Sequence, residues 1–177
     1  MGTAVAWTAL GLVTLLSASG AVAADDRPAA KTAILPFDMA IEQQMGQVGL
    51  LPEPTKLERA RLKLVTDELG KLLGQTGRYA VVDLSGYAAE IDKASPFDRC
   101  NGCEVEIAKK VGADLAVTGL VQKASELLLN VSIYVRDVAS GNLTKSMAVS
   151  IRQNSDEGWL RAVRSLVKNR FAEEEKG

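Results

Sequence analysis

Residues 127–152 read LLLNVSIYVRDVASGNLTKSMAVSIR. In the first half Leu129, Val131, Ile133 and Val135 alternate with Asn130, Ser132, Tyr134 and Arg136. In the second half Leu143, Met147, Val149 and Ile151 alternate with Thr144, Ser146, Ala148, Ser150 and Arg152. A period of two is the signature of a strand, whose successive side chains point to opposite faces. Ser140-Gly141-Asn142 lies between the halves and has the composition of a hairpin turn. The stretch therefore predicts two antiparallel strands, 127–138 and 143–152. One face of them covers a core and the other meets solvent or a partner.

Working outward, Leu115 to Gln122 predicts a strand just before this pair. After it, Trp159, Leu160, Val163, Leu166, Val167 and Phe171 form the apolar stripe of a helix over about residues 156–171, capped by Asn154 or Ser155. Upstream, 31–38 reads as a first strand, placed near a sheet edge because Pro36 cannot donate to a ladder. Residues 57–73 carry a helical stripe of Leu62, Val65, Leu69 and Leu72, and Thr55 with Glu58 has the spacing of a capping box. Residues 78–84 predict another strand, and 86–94 and 104–111 two short helices. Between them, residues 39–56 hold Gly46, Gly49, Pro52 and Pro54 and read as one long loop. The expected fold is a single α/β domain over residues 25–177 with a solvated acidic tail at 172–177. Its mixed sheet has about five strands and ends in an antiparallel meander, with helices mainly on one face.

Composition sets limits on function. The chain has 177 residues, 21 Lys+Arg against 22 Asp+Glu, and 47% of its residues are in the apolar set. A near-neutral charge gives no basic surface for nucleic acid or for anionic membrane. The absence of histidine excludes a Ser-His-Asp or Cys-His centre and any His-ligated zinc or haem. The glycines are not spaced as a phosphate loop, and no pair of carboxylates has the pattern of glycosidase or metal chemistry.

Residues 8–22, TALGLVTLLSASGAV, are apolar and run into Ala21-Val22-Ala23-Ala24 before Asp25-Asp26. Small residues ahead of a charged stretch read as a signal peptide over residues 1–24 with its cleavage site. The run is shorter than the roughly 20 residues that span a bilayer. The expectation is a secreted, periplasmic protein without a stable membrane span after cleavage.

Cys100-Asn101-Gly102-Cys103 is the one chemically loaded motif. In an exported protein the pair reads first as a structural disulfide and second as a redox couple at a helix start. Glu104 stands where a c-type haem motif needs His, and zinc lacks two further ligands within the chain, so no metal or cofactor is expected. Gln122, Lys123 and Ser125 are polar where a strand leaves the sheet, as a solvated turn or as a recognition edge. Arg136 and Arg152, with Asn130 and Tyr134 nearby, are candidates to bind an anionic group, or to pair with Asp137, Asp156 or Glu157. Asp156 and Trp159 open the last helix, where Trp159 reads as core or as a binding rim.

Several pieces of the chain carry a resemblance: Gly112-Ala113-Asp114, Gly119-Leu120-Val121-Gln122-Lys123, Arg136-Asp137 with Ser140-Gly141, Ile151-Arg152 with Asn154, and Asp156-Glu157 with Trp159. Over roughly residues 78–170 the sequence resembles a family of secreted proteobacterial proteins defined by a domain of unknown function. More distantly it is similar to the N-terminal domain of the translocation protein TolB and to the curli-secretion and penicillin-binding-protein-activator group. That likeness implies an envelope accessory module without enzymatic activity, working through a partner protein or a second copy of itself. The alternatives are a thiol-disulfide protein using Cys100 and Cys103 and a small-anion or small-molecule carrier.

Overall fold

The structure is a computed structural model that describes residues 28–42 and 52–171. The expected signal segment, the tail at 172–177 and residues 43–51 of the expected loop lie outside the described residues.

The chain runs β1 (Ala30–Ile34), β2 (Asp38–Ile41), α1 (Lys56–Gln75), β3 (Tyr79–Val81), α2 (Ala88–Ala94), α3 (Cys103–Lys110), β4 (Leu115–Ser125), β5 (Leu128–Asp137), β6 (Leu143–Ile151) and α4 (Asp156–Leu166). A π-helical turn, Val167–Phe171, prolongs α4. The sheet has six strands in the order β3-β1-β4-β5-β6, with β2 also paired on β4. β1, β2 and β3 enter it parallel, and β4, β5 and β6 form the expected antiparallel meander.

The sixth strand corrects the reading of 39–56 as one loop, since Met39, Ala40 and Ile41 pair with Val121, Gln122 and Lys123. Pro36 explains both this and a second correction. β1 is an inner strand, flanked by β3 and β4, rather than an edge. It pairs with β4 up to Val117, and the Leu35 N–H still donates to the Val117 carbonyl. Pro36 then has no N–H to give, the chain leaves the ladder, and β2 rejoins β4 at Leu120. The proline thus breaks one line of strand into two. At the break Phe37 turns inward over Gly119, where a Cβ would lie 2.3 Å from the Phe37 ring, so only glycine fits there.

Helix α1 starts as its capping box predicts. The Thr55 hydroxyl accepts from the Glu58 N–H and the Glu58 carboxylate accepts from the Thr55 N–H at 2.8 Å. Val65, Leu69 and Leu73 are its fully buried residues, with Leu62 and Leu72 partly buried beside them. α1, α4 and the π turn lie on one face of the sheet, against Val117, Val121, Leu129, Val131, Ile133 and Val135. Trp159 and Phe171 are sealed into this core. Among the described residues the opposite face is covered at one end, where α3 packs Val105 and Ala108 on Ala33 and Ala116. Ile91 of α2 and Phe97 close over Leu35.

Leu143, expected in the core, is 45% exposed. The β5–β6 register shifts between Val135 and Arg136, so Leu143 pairs with Arg136 and leaves the core line. Shifts of this kind put one extra residue into a strand and re-aim the side chains beyond it.

Candidate functional site

Alternation along β4 separates residues that the sequence groups together. Gln122 and Lys123 are adjacent and therefore point to opposite faces. Lys123 reaches toward α1, where its Nζ lies 2.7 Å from Glu58 Oε1 and also meets Glu126. Asn154 gathers the rest of this centre. Its Nδ2 donates to Glu126 Oε2 at 2.8 Å, and its Oδ1 accepts from Arg61 Nη1 at 2.9 Å and Trp159 Nε1 at 3.0 Å. Asp156 pairs with Arg61 at 2.7 Å. Glu58 is 2% exposed. Burial alone would raise its pKa, but the Lys123 ammonium and the Thr55 N–H and hydroxyl outweigh that and hold it down to about 2. Burial would lower the Lys123 pKa, but the Glu126 and Glu58 carboxylates outweigh it and hold Lys123 above its ordinary value. Lys123, Asp156 and Trp159 are thus parts of a joint tying the start of α1, the β4–β5 turn and the start of α4 together. Ser125 serves the turn itself, its hydroxyl accepting from the Leu127 N–H at 3.2 Å.

Beyond the end that α3 covers, the other face of β4, β5 and β6 carries no helix among the described residues and presents mostly polar side chains in register, with Ser132 buried among them. Gln122, Asn130 and Ser150 form one row, linked by Asn130 to Gln122 and by Ser150 to Asn130, each at 3.4 Å. Leu120, Ser132 and Ala148 form the next row, and Thr118, Tyr134 and Ser146 the third. Ser146, Ala148 and Ser150 are exposed.

This face ends in a cleft of about 340 Å³. Its walls are Asp38 of β2, Phe97 and Asp98 from the connection before α3, Cys100, and Glu104 of α3. Thr118, Leu120, Tyr134 and Arg136 come from the sheet. Arg136 Nε lies 2.8 Å from Glu104 Oε1, and Arg136 Nη1 donates to the Gly141 carbonyl at 3.2 Å. The partner of Arg136 is therefore Glu104 rather than Asp137, Asp156 or Glu157. Asp137 accepts instead from Ser140, and Asp156 holds Arg61. Asp38 is 8% exposed and accepts from the Ser95 hydroxyl at 2.8 Å and from the Phe97 N–H. Burial pushes its pKa up, the two hydrogen bonds oppose that, and the charge of Asp98 adds to the rise. Asp98 is exposed and the Tyr134 hydroxyl has no hydrogen-bond partner among the described residues.

Arg152 does not join Arg136. It follows Ile151, which pairs with Leu129, whereas Arg136 pairs with Leu143 at the other end of the ladder. At the rise of a strand this separates them by roughly 25 Å. The two arginines therefore do not share one site.

Cys100 and Cys103 lie side by side, with Cα atoms 5.9 Å apart, inside the span of a disulfide. Gly102, at φ 92°, makes the left-handed turn that brings them together at the start of α3. Their sulfurs and a Glu104 carboxylate oxygen fall within 4.8 Å of one another. Arg136 already engages Glu104.

The sequence reading missed Asp38, Phe97, Asp98 and Glu104 as cleft residues, and Glu58 and Glu126 as partners of Lys123. Glu58 had a signal as a capping residue, but nothing local ties Glu104 to an arginine 32 positions later.

Several solved structures are similar to this chain at low identity. The C-terminal domain of LpoB from Salmonella enterica is 14% identical, with a TM-score of 0.47, covering 73% of this chain and 88% of that one. The PelC dodecamer from Paraburkholderia phytofirmans is 13% identical, with a TM-score of 0.47, covering 79% of this chain and 86% of that one. TolB from Acinetobacter baumannii is 13% identical, with a TM-score of 0.45, covering 82% of this chain and 29% of that one. No curated protein matches the chain. The family described as "Protein of unknown function (DUF2380)" matches residues 30–171, and the chain belongs to it.

Proposed function

We propose that this protein is an exported accessory module of the cell envelope, without enzymatic activity, and that it works through protein contacts made on the open face of β4, β5 and β6. One observation carries the reading: α1 and α4 seal one face of the sheet, while the other, beyond the end that α3 covers, carries no helix among the described residues and leaves Gln122, Ser146, Ala148 and Ser150 exposed. Short side chains lose little entropy when ordered, and the exposed Gln and Ser groups offer hydrogen bonds, which suits a contact surface. Export is supported by the apolar stretch at 8–22 with its small-residue ending. In that compartment Cys100 and Cys103 form a disulfide that fixes the start of α3 and with it the wall of the cleft. Among the described residues no helix is long and apolar enough to cross a membrane.

The test is a photo-crosslinking residue placed at Ser146 on the open face and, separately, at Lys71 on the outer side of α1. The expected result is a discrete adduct, with a partner protein or a second copy, from position 146 alone. Equal labelling from both positions, or none from 146, would overturn the reading.

A further inference from the structure

We infer that the cleft at the end of the open face receives one lysine or arginine side chain of a polypeptide lying along that face. This rests on the open face being the contact surface. The cavity, about 340 Å³, is at the small end of the range for ligand sites and suits a single long side chain rather than a nucleotide or a sugar chain. Its charge is unbalanced. Three carboxylates border it, those of Asp38, Asp98 and Glu104, against the single guanidinium of Arg136. Arg136 is committed to Glu104 and to the Gly141 carbonyl, so among the described residues no cation pairs with Asp38 or Asp98. Asp38 is fixed in place by Ser95 and Phe97 and is nearly buried, so an incoming cation would meet a pre-aimed, poorly hydrated carboxylate. Tyr134 adds an aromatic wall and an unused hydroxyl, and Leu120 and Phe97 suit the alkyl stem of such a side chain. The rows that lead to the cleft are flat and exposed at Ser146 and Ala148, which leaves a path for the backbone of the incoming chain.

The test uses the ¹⁵N-labelled protein and three probes: acetyl-Ala-Lys-Ala-amide, the same tripeptide with norleucine for lysine, and n-butylammonium. The lysine peptide is expected to shift the amides of Asp98, Leu120 and Tyr134 in a saturable way and to bind more tightly than either other probe. Asp98→Asn, at an exposed position, should weaken it about two- to fivefold while leaving the melting temperature in place. Equal binding of the norleucine peptide, or no shift with any probe, would overturn the inference. Butylammonium binding as tightly as the peptide would do the same, since the cleft would then be reading a free amine. Capture of a partner through Ser146 with no response to lysine peptides would sink this inference and leave the contact surface standing.

Discussion

The molecule has two polar centres built from the same kinds of residue, one around Lys123 and one around Arg136, and they end differently. Around Lys123 each charge and amide finds a partner. Glu58 faces Lys123, Asn154 bridges Glu126 to Arg61 and Trp159, and Asp156 closes on Arg61. Three chain segments far apart in sequence meet there, and no group is left over. Around Arg136 one pair forms with a buried glutamate, and then the matching stops. A cavity remains, with a tyrosine hydroxyl that finds no hydrogen bond and two carboxylates that find no cation among the described residues. A buried polar network that is fully satisfied specifies structure, and one left partly open marks a place to bind. The first centre is therefore read as a joint of the fold and the second as its working surface.

Several experiments would break or sharpen that contrast. The largest effect is expected at Trp159, which is fully buried and donates to Asn154. Trp159→Ala should cost about 3–5 kcal/mol in urea unfolding. A loss below about 1 kcal/mol would detach the joint from the core. Lys123→Ala comes next, at about 3 kcal/mol, because it strands Glu58 without its cation. Arg136→Ala should cost only about 1 kcal/mol, since water enters the cleft and re-solvates Glu104. Equal losses from the two would erase the distinction.

Acid titration separates the centres by sign. The Glu58 pKa is lowered from 4.5 to about 2 in the folded chain, so its contribution is present above pH 4.5 and is lost as pH falls from there towards 2. Asp38 is raised from 3.8, so its protonation favours the folded state. Its contribution is present at the acid end and is lost as pH rises through the raised value. Glu58→Gln should flatten the loss of stability on acidification, and Asp38→Asn should steepen it. A shared direction for both variants would contradict the assignment. An effect between those at Lys123 and Arg136 is expected at the cysteine pair: Cys100→Ser opens a very short loop and should cost about 2 kcal/mol by loop-closure entropy. An unchanged melting temperature would show that the pair does not brace α3.

Much of this was legible from short-range pattern. The meander follows from the alternation on either side of Ser140-Gly141-Asn142, α1 from Thr55 and Glu58, and the buried Trp159 from its helical stripe. What escaped were arrangements that depend on chain segments meeting at a distance. β2 is four residues long and follows a proline, too little for a periodic signal. Leu143 left the core through a register shift that no residue type announces. Gln122 and Lys123 looked like one polar cluster, although the period of two puts them on opposite faces. The cleft takes residues from β2, the stretch before α3, α3 itself and the sheet, and none of these predicts the others. Arg136 and Arg152, both candidates for an anion on the polar face, stand at opposite ends of one ladder.

The central claim is that the open face of β4, β5 and β6 is a contact surface. Ala148→Arg tests it most directly, because Ala148 is exposed in the middle of that face and carries no packing load. The melting temperature should stay within the range of a surface substitution, about 0.5 kcal/mol, while the adduct captured from Ser146 disappears. An unchanged adduct in a normally folded variant would contradict the account.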